Sequence, residues 1–210
     1  MEEKLLSYIK ENWNPASVIL HGSRACGRER EHSDWDFICL FPDDAQNPGN
    51  FRALVEGQNI EIFSVTLPVR DVLNTFGTKL RNARVLFDTN ATGEKIFEDA
   101  QALYQKPYPW PSTWPEGPKL WMLGRLDGMR DAQNEPQQFL RYLGQFHQRA
   151  LNYWYQIKQK EHSKPIYQAL DEIREKDAEY FTYLEILGSM SNSPKEKLDA
   201  GEKIITVLFD

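Results

Sequence analysis

The stretch from Val18 to Phe41, VILHGSRACGREREHSDWDFICLF, limits the fold more than any other part of the chain, because it sets two apolar runs around a polar segment. Val18, Ile19 and Leu20 suit a buried strand, and Gly22-Ser23 interrupts the run where a helix could begin. A glycine lets a phosphate approach bare backbone, Ser23 adds a hydroxyl donor, and the start of a following helix adds partial positive charge. The turn therefore reads as a phosphate cradle with Arg24 nearby. Downstream, Asp34-Trp35-Asp36 leads into Phe37-Ile38-Cys39-Leu40-Phe41, which is apolar enough for an interior strand. Strand side chains alternate with a period of two. Asp34 and Asp36 thus point to one side, where two close carboxylates repel unless a divalent cation, most simply Mg²⁺, lies between them. Either half alone has a bland reading, since Gly-Ser turns are common and most Asp-x-Asp pairs at strand edges are solvated or cap a turn.

The chain has 210 residues, enough for one large domain or two small ones, and its 40% hydrophobic content supports a core. MEEKLLSYIKEN lacks a basic segment followed by a long apolar run, and no later stretch is apolar for the roughly eighteen residues of a membrane span, so the expectation is a cytoplasmic protein. Cys26 and Cys39 show no metal-ligand spacing and are expected as reduced thiols without a nucleophilic role. Net charge is −6, with 11 basic and 16 acidic residues up to Gln105 and 14 and 15 after it. Neither part is basic, which argues against a partner that is a nucleic acid, since tracking a polynucleotide calls for a basic stripe.

Glu2 to Trp13 carries Leu5, Leu6, Ile9 and Trp13 at helical spacing and stops at Asn14-Pro15. PDDAQNPGN reads as a loop, Phe51 to Val55 as a short apolar run of undecided type, and Gly57-Gln58-Asn59 as a turn into the strand Ile60 to Val65. Glu61 there shares a side with Phe63 and Val65. A charged residue within a strand is most often on an exposed face. Pro68 is expected to start a helix with Val69, Val72, Leu73 and Phe76 as its stripe, ended by Gly77; Arg84 to Asp88 reads as a strand and Thr92 to Tyr104 as a helix. Asp88, at a strand exit before Thr-Asn, reads as a turn residue.

Lys106 to Pro118, KPYPWPSTWPEGP, holds five of the twelve prolines and reads as a connector, with Tyr108, Trp110 and Trp114 packed against a domain or lining a cleft. This divides the chain into residues 1–105, the linker 106–118, and a bundle of about four helices over 119–210 on the substrate or partner side. Its runs are Leu120 to Ala132, Pro136 to Lys160, Pro165 to about Gly188 with a break near Asp177, and Pro194 to Leu208. Gly124 and Gly128 are expected to permit close packing. Asp127 and Asp131, one turn apart, are either a solvated face beside Arg130 or an acidic wall for a cationic substrate, and Arg125, Arg130 and Arg149 are open candidates for reaching a triphosphate. His21, His32, His147 and His162 show no ligand spacing.

An apolar strand, Gly-Ser, a short polar segment and Asp-x-Asp entering a second apolar strand together resemble the signature of the polymerase-beta superfamily of nucleotidyltransferases. Arg24-Ala25-Cys26-Gly27-Arg28 and His32-Ser33 look like the minimal and antibiotic-modifying, aminoglycoside-type branches. The resemblance covers Val18 to Val65. It implies an α+β fold, with a palm-like mixed sheet and flanking helices followed by a C-terminal helical bundle. It also implies Asp34, Asp36 and Glu61 as catalytic and metal-binding acids holding two Mg²⁺ ions, and Gly22, Ser23 and Arg24 at the phosphates of ATP or another nucleoside triphosphate. The implied reaction transfers a nucleoside monophosphate, AMP from ATP, to a hydroxyl of a small acceptor such as an aminoglycoside-like antibiotic, a resistance activity, with release of pyrophosphate. Two alternatives stay open: adenylylation of another protein, as antitoxin-type minimal nucleotidyltransferases do, and a nucleotide-binding sensor without catalysis. The chain's own helical bundle favours the small acceptor.

Overall fold

The computed structural model describes residues 1–42, 47–110 and 116–210. The chain divides into two units, Met1–Gln105 and Lys106–Asp210, each with its own hydrophobic interior. The first contains α1 (Glu2–Trp13), β1 (Ser17–His21), the single turn α2 (Gly22–Ala25), β2 (Trp35–Phe41), β3 (Phe51–Val55), β4 (Gln58–Thr66), α3 (Val72–Phe76), β5 (Arg84–Asp88) and α4 (Thr92–Tyr104). The strands form one sheet in the order β3-β4-β2-β1-β5. Among the described residues only β2 and β4 pair in parallel, so the sheet is mixed, and with the helical second unit this is the expected α+β architecture.

Apolar residues on both faces of β2 make it the central strand. Phe37, Cys39 and Phe41 pack with Val18, Leu20, Ile60 and Ile62 under Leu5 and Ile9 of α1, four residues apart on one helical stripe. Ile38 and Leu40 pack with Ile19 on the other face, against Phe76, Leu80, Ile96, Ala100 and Tyr104. Burial pushes the Cys39 thiol up to about 12, so it stays a protonated, inert thiol; Cys26 forms no disulfide and sets its Sγ against the Gly22 and Ser23 carbonyls. The undecided run Phe51–Val55 is an edge strand antiparallel to β4, joined to it through Glu56 and Gly57 at φ 51° and 74°. Two positive φ values in a two-residue loop match a type I′ hairpin, one residue earlier than the expected turn. The strand carrying Glu61 is therefore the second after the Asp-x-Asp strand. Helix α3 begins at Val72 rather than at Pro68, because the Asp71 carboxylate accepts the Asn74 backbone N–H at 3.0 Å and fixes the first turn there. Asp88 closes β5 and accepts the backbone N–H of Glu94 in α4 at 2.9 Å.

The second unit contains α5 (Gly117–Asp131), α6 (Pro136–Tyr153) continuing into a π-helical turn (Trp154–Gln159), α7 (Ile166–Lys176), α8 (Ala178–Gly188) and α9 (Pro194–Phe209). The expected single helix to Lys160 thus changes its winding at Trp154. An α-helix rotates about 100° per residue, which makes it difficult to aim three successive rings inward; Tyr153, Trp154 and Tyr155 are all buried here. Gly128 does permit close packing, since a Cβ there would lie 2.9 Å from the Tyr142 ring, whereas one at Gly124 would meet nothing. Arg130 pairs with Asp127 and with Glu202, so that face is ion-paired, and Arg125 and Arg149 both lie over Trp121. From the connector, Tyr108 donates its N–H to the Lys160 carbonyl at 2.8 Å and Trp110 meets Tyr153 edge-on, so both belong to this unit; Trp114 lies outside the described residues. No helix among them is long and apolar enough to cross a membrane.

The run from Pro165 to Gly188 breaks at Asp177. Its carboxylate accepts the Tyr180 backbone N–H at 3.1 Å, capping α8, and the Trp154 indole N–H at 3.0 Å, tying that helix to the π-turn. Losing a cap and stranding a buried indole donor together cost about 1–3 kcal/mol. Asp177→Ala should lower stability by that amount in urea unfolding followed by tryptophan fluorescence; a loss below about 0.5 kcal/mol, the level of an ordinary surface change, would show that the carboxylate ties nothing together.

Candidate active site

Strand registry brings four polar side chains into one row across the sheet. Asp36 in β2 pairs with His21 in antiparallel β1 and with Glu61 in parallel β4, and Glu61 pairs with Arg52 in β3. Directly opposed residues share a face and adjacent strands lie about 4.8 Å apart, so His21, Asp36, Glu61 and Arg52 form a rung. It continues the face whose inner part holds Ile19, Ile38 and Phe63. Asp34 stands two residues before Asp36, just outside the strand.

Gly22 follows His21 and has φ +76°, a backbone state that other L-residues adopt only with strain. A Cβ at that position would overlap Oδ2 of Asp36 and lie 3.2 Å from its carboxyl carbon. Bare backbone at the turn is therefore what admits the Asp36 carboxylate. Helix α2 has four residues, too few for a developed dipole, so any phosphate binding there would rest on backbone N–H groups and on the Ser23 hydroxyl, which has no hydrogen-bond partner among the described residues. Arg24 is engaged elsewhere: Nε and Nη2 donate to the Ser33 carbonyl at 3.1 and 2.7 Å, and the guanidinium lies 4.5 Å from the Trp35 ring centroid. It braces the segment entering β2, with Trp35 among the residues of the α1 face.

Burial raises the Asp36 pKa above its ordinary value, and the charges of Glu61 and Asp34 raise it further, while Arg52 and Lys79 act the other way. Burial, helped by Lys79, lowers His21 to about 4 and keeps its imidazole neutral at physiological pH. Glu61 accepts from Nε and Nη2 of Arg52 at 3.1 and 2.6 Å on the single oxygen Oε2. Among the described residues no three His, Cys, Asp or Glu side chains are assembled as a preformed cation cage, consistent with one Glu61 oxygen being drawn onto Arg52. The donor set nonetheless fits a hard divalent cation in kind, being carboxylate oxygen throughout, and such an ion would offset both the burial and the repulsion that hold Asp36 up.

Of the residues expected from sequence, Asp36 and Glu61 are brought side by side, Asp34 lies within electrostatic reach, Gly22 touches Asp36 and Ser23 adjoins it. Arg52, Lys79 and His21 were missed. Lys79 follows α3, with Nζ 5.2 Å from the Phe63 ring centroid and its charge felt by both Asp36 and His21. The hairpin turn, counted back from Glu61, is the signal that could have located Arg52; Lys79 has none.

Residues 2–89 match the family model of a nucleotidyltransferase domain. That span runs from α1 past the end of β5 and contains the whole rung. Among solved structures, the chain is similar to a nucleotidyltransferase-like protein from Exiguobacterium sibiricum 255-15, at a TM-score of 0.46 and 10% identity over 99% of this chain and 72% of that one. No match is found among curated proteins.

Two outcomes follow from the crowding at Asp36. Gly22→Ala should destabilise the first unit by about 1–3 kcal/mol in chemical denaturation, from positive-φ strain and the displaced carboxylate; an unchanged midpoint would mean that the turn and Asp36 are not in contact. Asp36→Asn should stabilise the chain at pH 7 with divalent cations chelated. The folded-state pKa of Asp36 lies above the unfolded one, so its cost is full at neutral pH and is relieved as the pH falls through the raised value. The advantage of the variant should therefore shrink on acidification and vanish below the ordinary aspartate range; an advantage independent of pH would assign it to something other than charge.

Proposed function

We propose, from the match of residues 2–89 to the nucleotidyltransferase domain model, that the chain transfers AMP from ATP to a hydroxyl of a small molecule, such as an aminoglycoside-like antibiotic, in a Mg²⁺-dependent reaction that releases pyrophosphate. The observation that carries this reading is the position of Asp36, held between the bare backbone of Gly22 and the carboxylate of Glu61. A phosphate chain against the turn would have its α-phosphate beside the acids.

Gly22 and Ser23 would hold the β- and γ-phosphates. Arg24, bound to the Ser33 carbonyl, would keep the approach to Asp34 and Asp36 in place and would reach a phosphate only by leaving that carbonyl. Asp34, Asp36 and Glu61 are the residues that would bind the ions. Two Mg²⁺ ions, when bound, supply charge neutralisation at the phosphate oxygens and acidify the attacking hydroxyl. The acceptor oxygen forms a bond to the α-phosphorus, the bond from that phosphorus to the bridging oxygen of the β-phosphate breaks, and the electron pair leaves with pyrophosphate. The hydroxyl proton passes to Glu61, which must first part from Arg52. Lys79, on the same face, adds positive charge near the acids. The absence of a basic half and the presence of a helical second unit support a small acceptor over a polymer.

The test combines a thermal-shift screen of nucleotides with Mg²⁺ and a pyrophosphate-release assay over a panel of aminoglycosides and lincosamides. ATP with Mg²⁺ should raise the melting temperature and one acceptor should stimulate release. Asp36→Asn should lower turnover by about a thousandfold or more with the fold retained. Unchanged turnover in that variant would sink the assignment of the site, while label from ATP appearing on a protein in a lysate would redirect the acceptor from small molecule to protein.

A further inference from the structure

Glu61 already has a cationic partner that is built into the sheet. Arg52 stands opposite it in register, on the same face, and both of its donating nitrogens converge on Oε2. Arg52 is also close enough to Asp34 and Asp36 to be affected by their charge. Its side chain is 73% exposed and that of Glu61 42%, and exposed pairs of this kind are easily separated. An arginine that neutralises one of three crowded acids lowers their mutual repulsion, and it also competes for the oxygen a metal ion would take.

We propose that Arg52 is the internal counter-ion of Glu61, competing with a divalent cation for that carboxylate. The protein then takes up one cation weakly through Asp34 and Asp36 and engages Glu61 only when Arg52 is displaced. This rests on the reading of the rung as a nucleotidyltransferase site. It assigns Arg52 a positioning role, acting through Glu61 and not on the transferred group. Two features separate it from an ordinary cross-strand ion pair: the partner is one of the proposed metal-binding acids, and removing the guanidinium should strengthen cation binding rather than merely loosen the sheet edge.

The experiment is a Mn²⁺ titration of the full-length chain without nucleotide, counting free ion by electron paramagnetic resonance. The set comprises wild type, Arg52→Gln, Arg52→Lys and Asp36→Asn, with circular dichroism confirming that each is folded. Arg52→Gln removes the charge and should bind Mn²⁺ about threefold to tenfold more tightly than wild type, the scale of a lost exposed charge competitor. Arg52→Lys keeps the charge and should stay nearer wild type. Asp36→Asn should lose most of the binding. Equal or weaker Mn²⁺ binding by folded Arg52→Gln, with binding still lost in Asp36→Asn, overturns the role of Arg52 and leaves the site assignment standing. Wild-type binding in Asp36→Asn overturns the site assignment itself.

Discussion

The parallel pairing of β2 with β4 is the constraint from which the site follows. It sets Asp36 opposite Glu61, and since strand side chains alternate faces, a slip of one residue would send Glu61 to the α1 side and expose Ile60 and Ile62 in its place. Those two isoleucines are almost wholly buried, so the hydrophobic interior and the acid pair enforce the same register. Parallel neighbours cannot be joined by a tight turn. The chain passes from β2 to β3 at the sheet edge, reverses through the Glu56-Gly57 hairpin and returns as β4 between β3 and β2. Arg52 arrives opposite Glu61 as a consequence of that route.

The same geometry is costly to stability. A carboxylate between a second carboxylate and a backbone turn is partly desolvated and repelled, and Asp36 shows both effects. The unit offsets this with apolar burial on both faces of β2 and with cations placed around the acids rather than beneath them. Arg52 and Lys79 ease the charge on Asp36 from outside the core, while His21, on its other side, is kept neutral and adds none. The cost is electrostatic and falls at the polar end of a strand that is otherwise well packed.

Much of this was legible in the chain itself because period-two alternation is a strong signal. It put Asp34 and Asp36 on one side, separated Glu61 from Ile60 and Ile62, and marked β2 as interior through its unbroken apolar run. Breaks written in capping chemistry could also be read, such as that at Asp177. The start of α3 could not, because proline at a first helical position and aspartate as a cap compete as signals, and Asp71 prevailed. Arg52 escaped because an edge strand of five residues gives little periodicity and its partner depends on where the hairpin turns, one residue from the expected place. Arg24 shows a different limit: its proximity to Gly22 in sequence was readable, while the direction of its guanidinium, fixed by the Ser33 carbonyl and the Trp35 ring, was not.

Solvation changes along the rung. At the β1 end His21 is desolvated enough to drop to about 4, and β5 lies beyond β1. At the other end β3 is the sheet edge and Arg52 is open to solvent. Charge is therefore screened least at Asp36 and most at Arg52. Glu61 lies between the two regimes, exposed enough to exchange partners and close enough to Asp36 to act with it. That intermediate position is what the proposed role of Glu61 draws on: a carboxylate buried beyond reach could not change partners, and one fully in solvent would not feel Asp36.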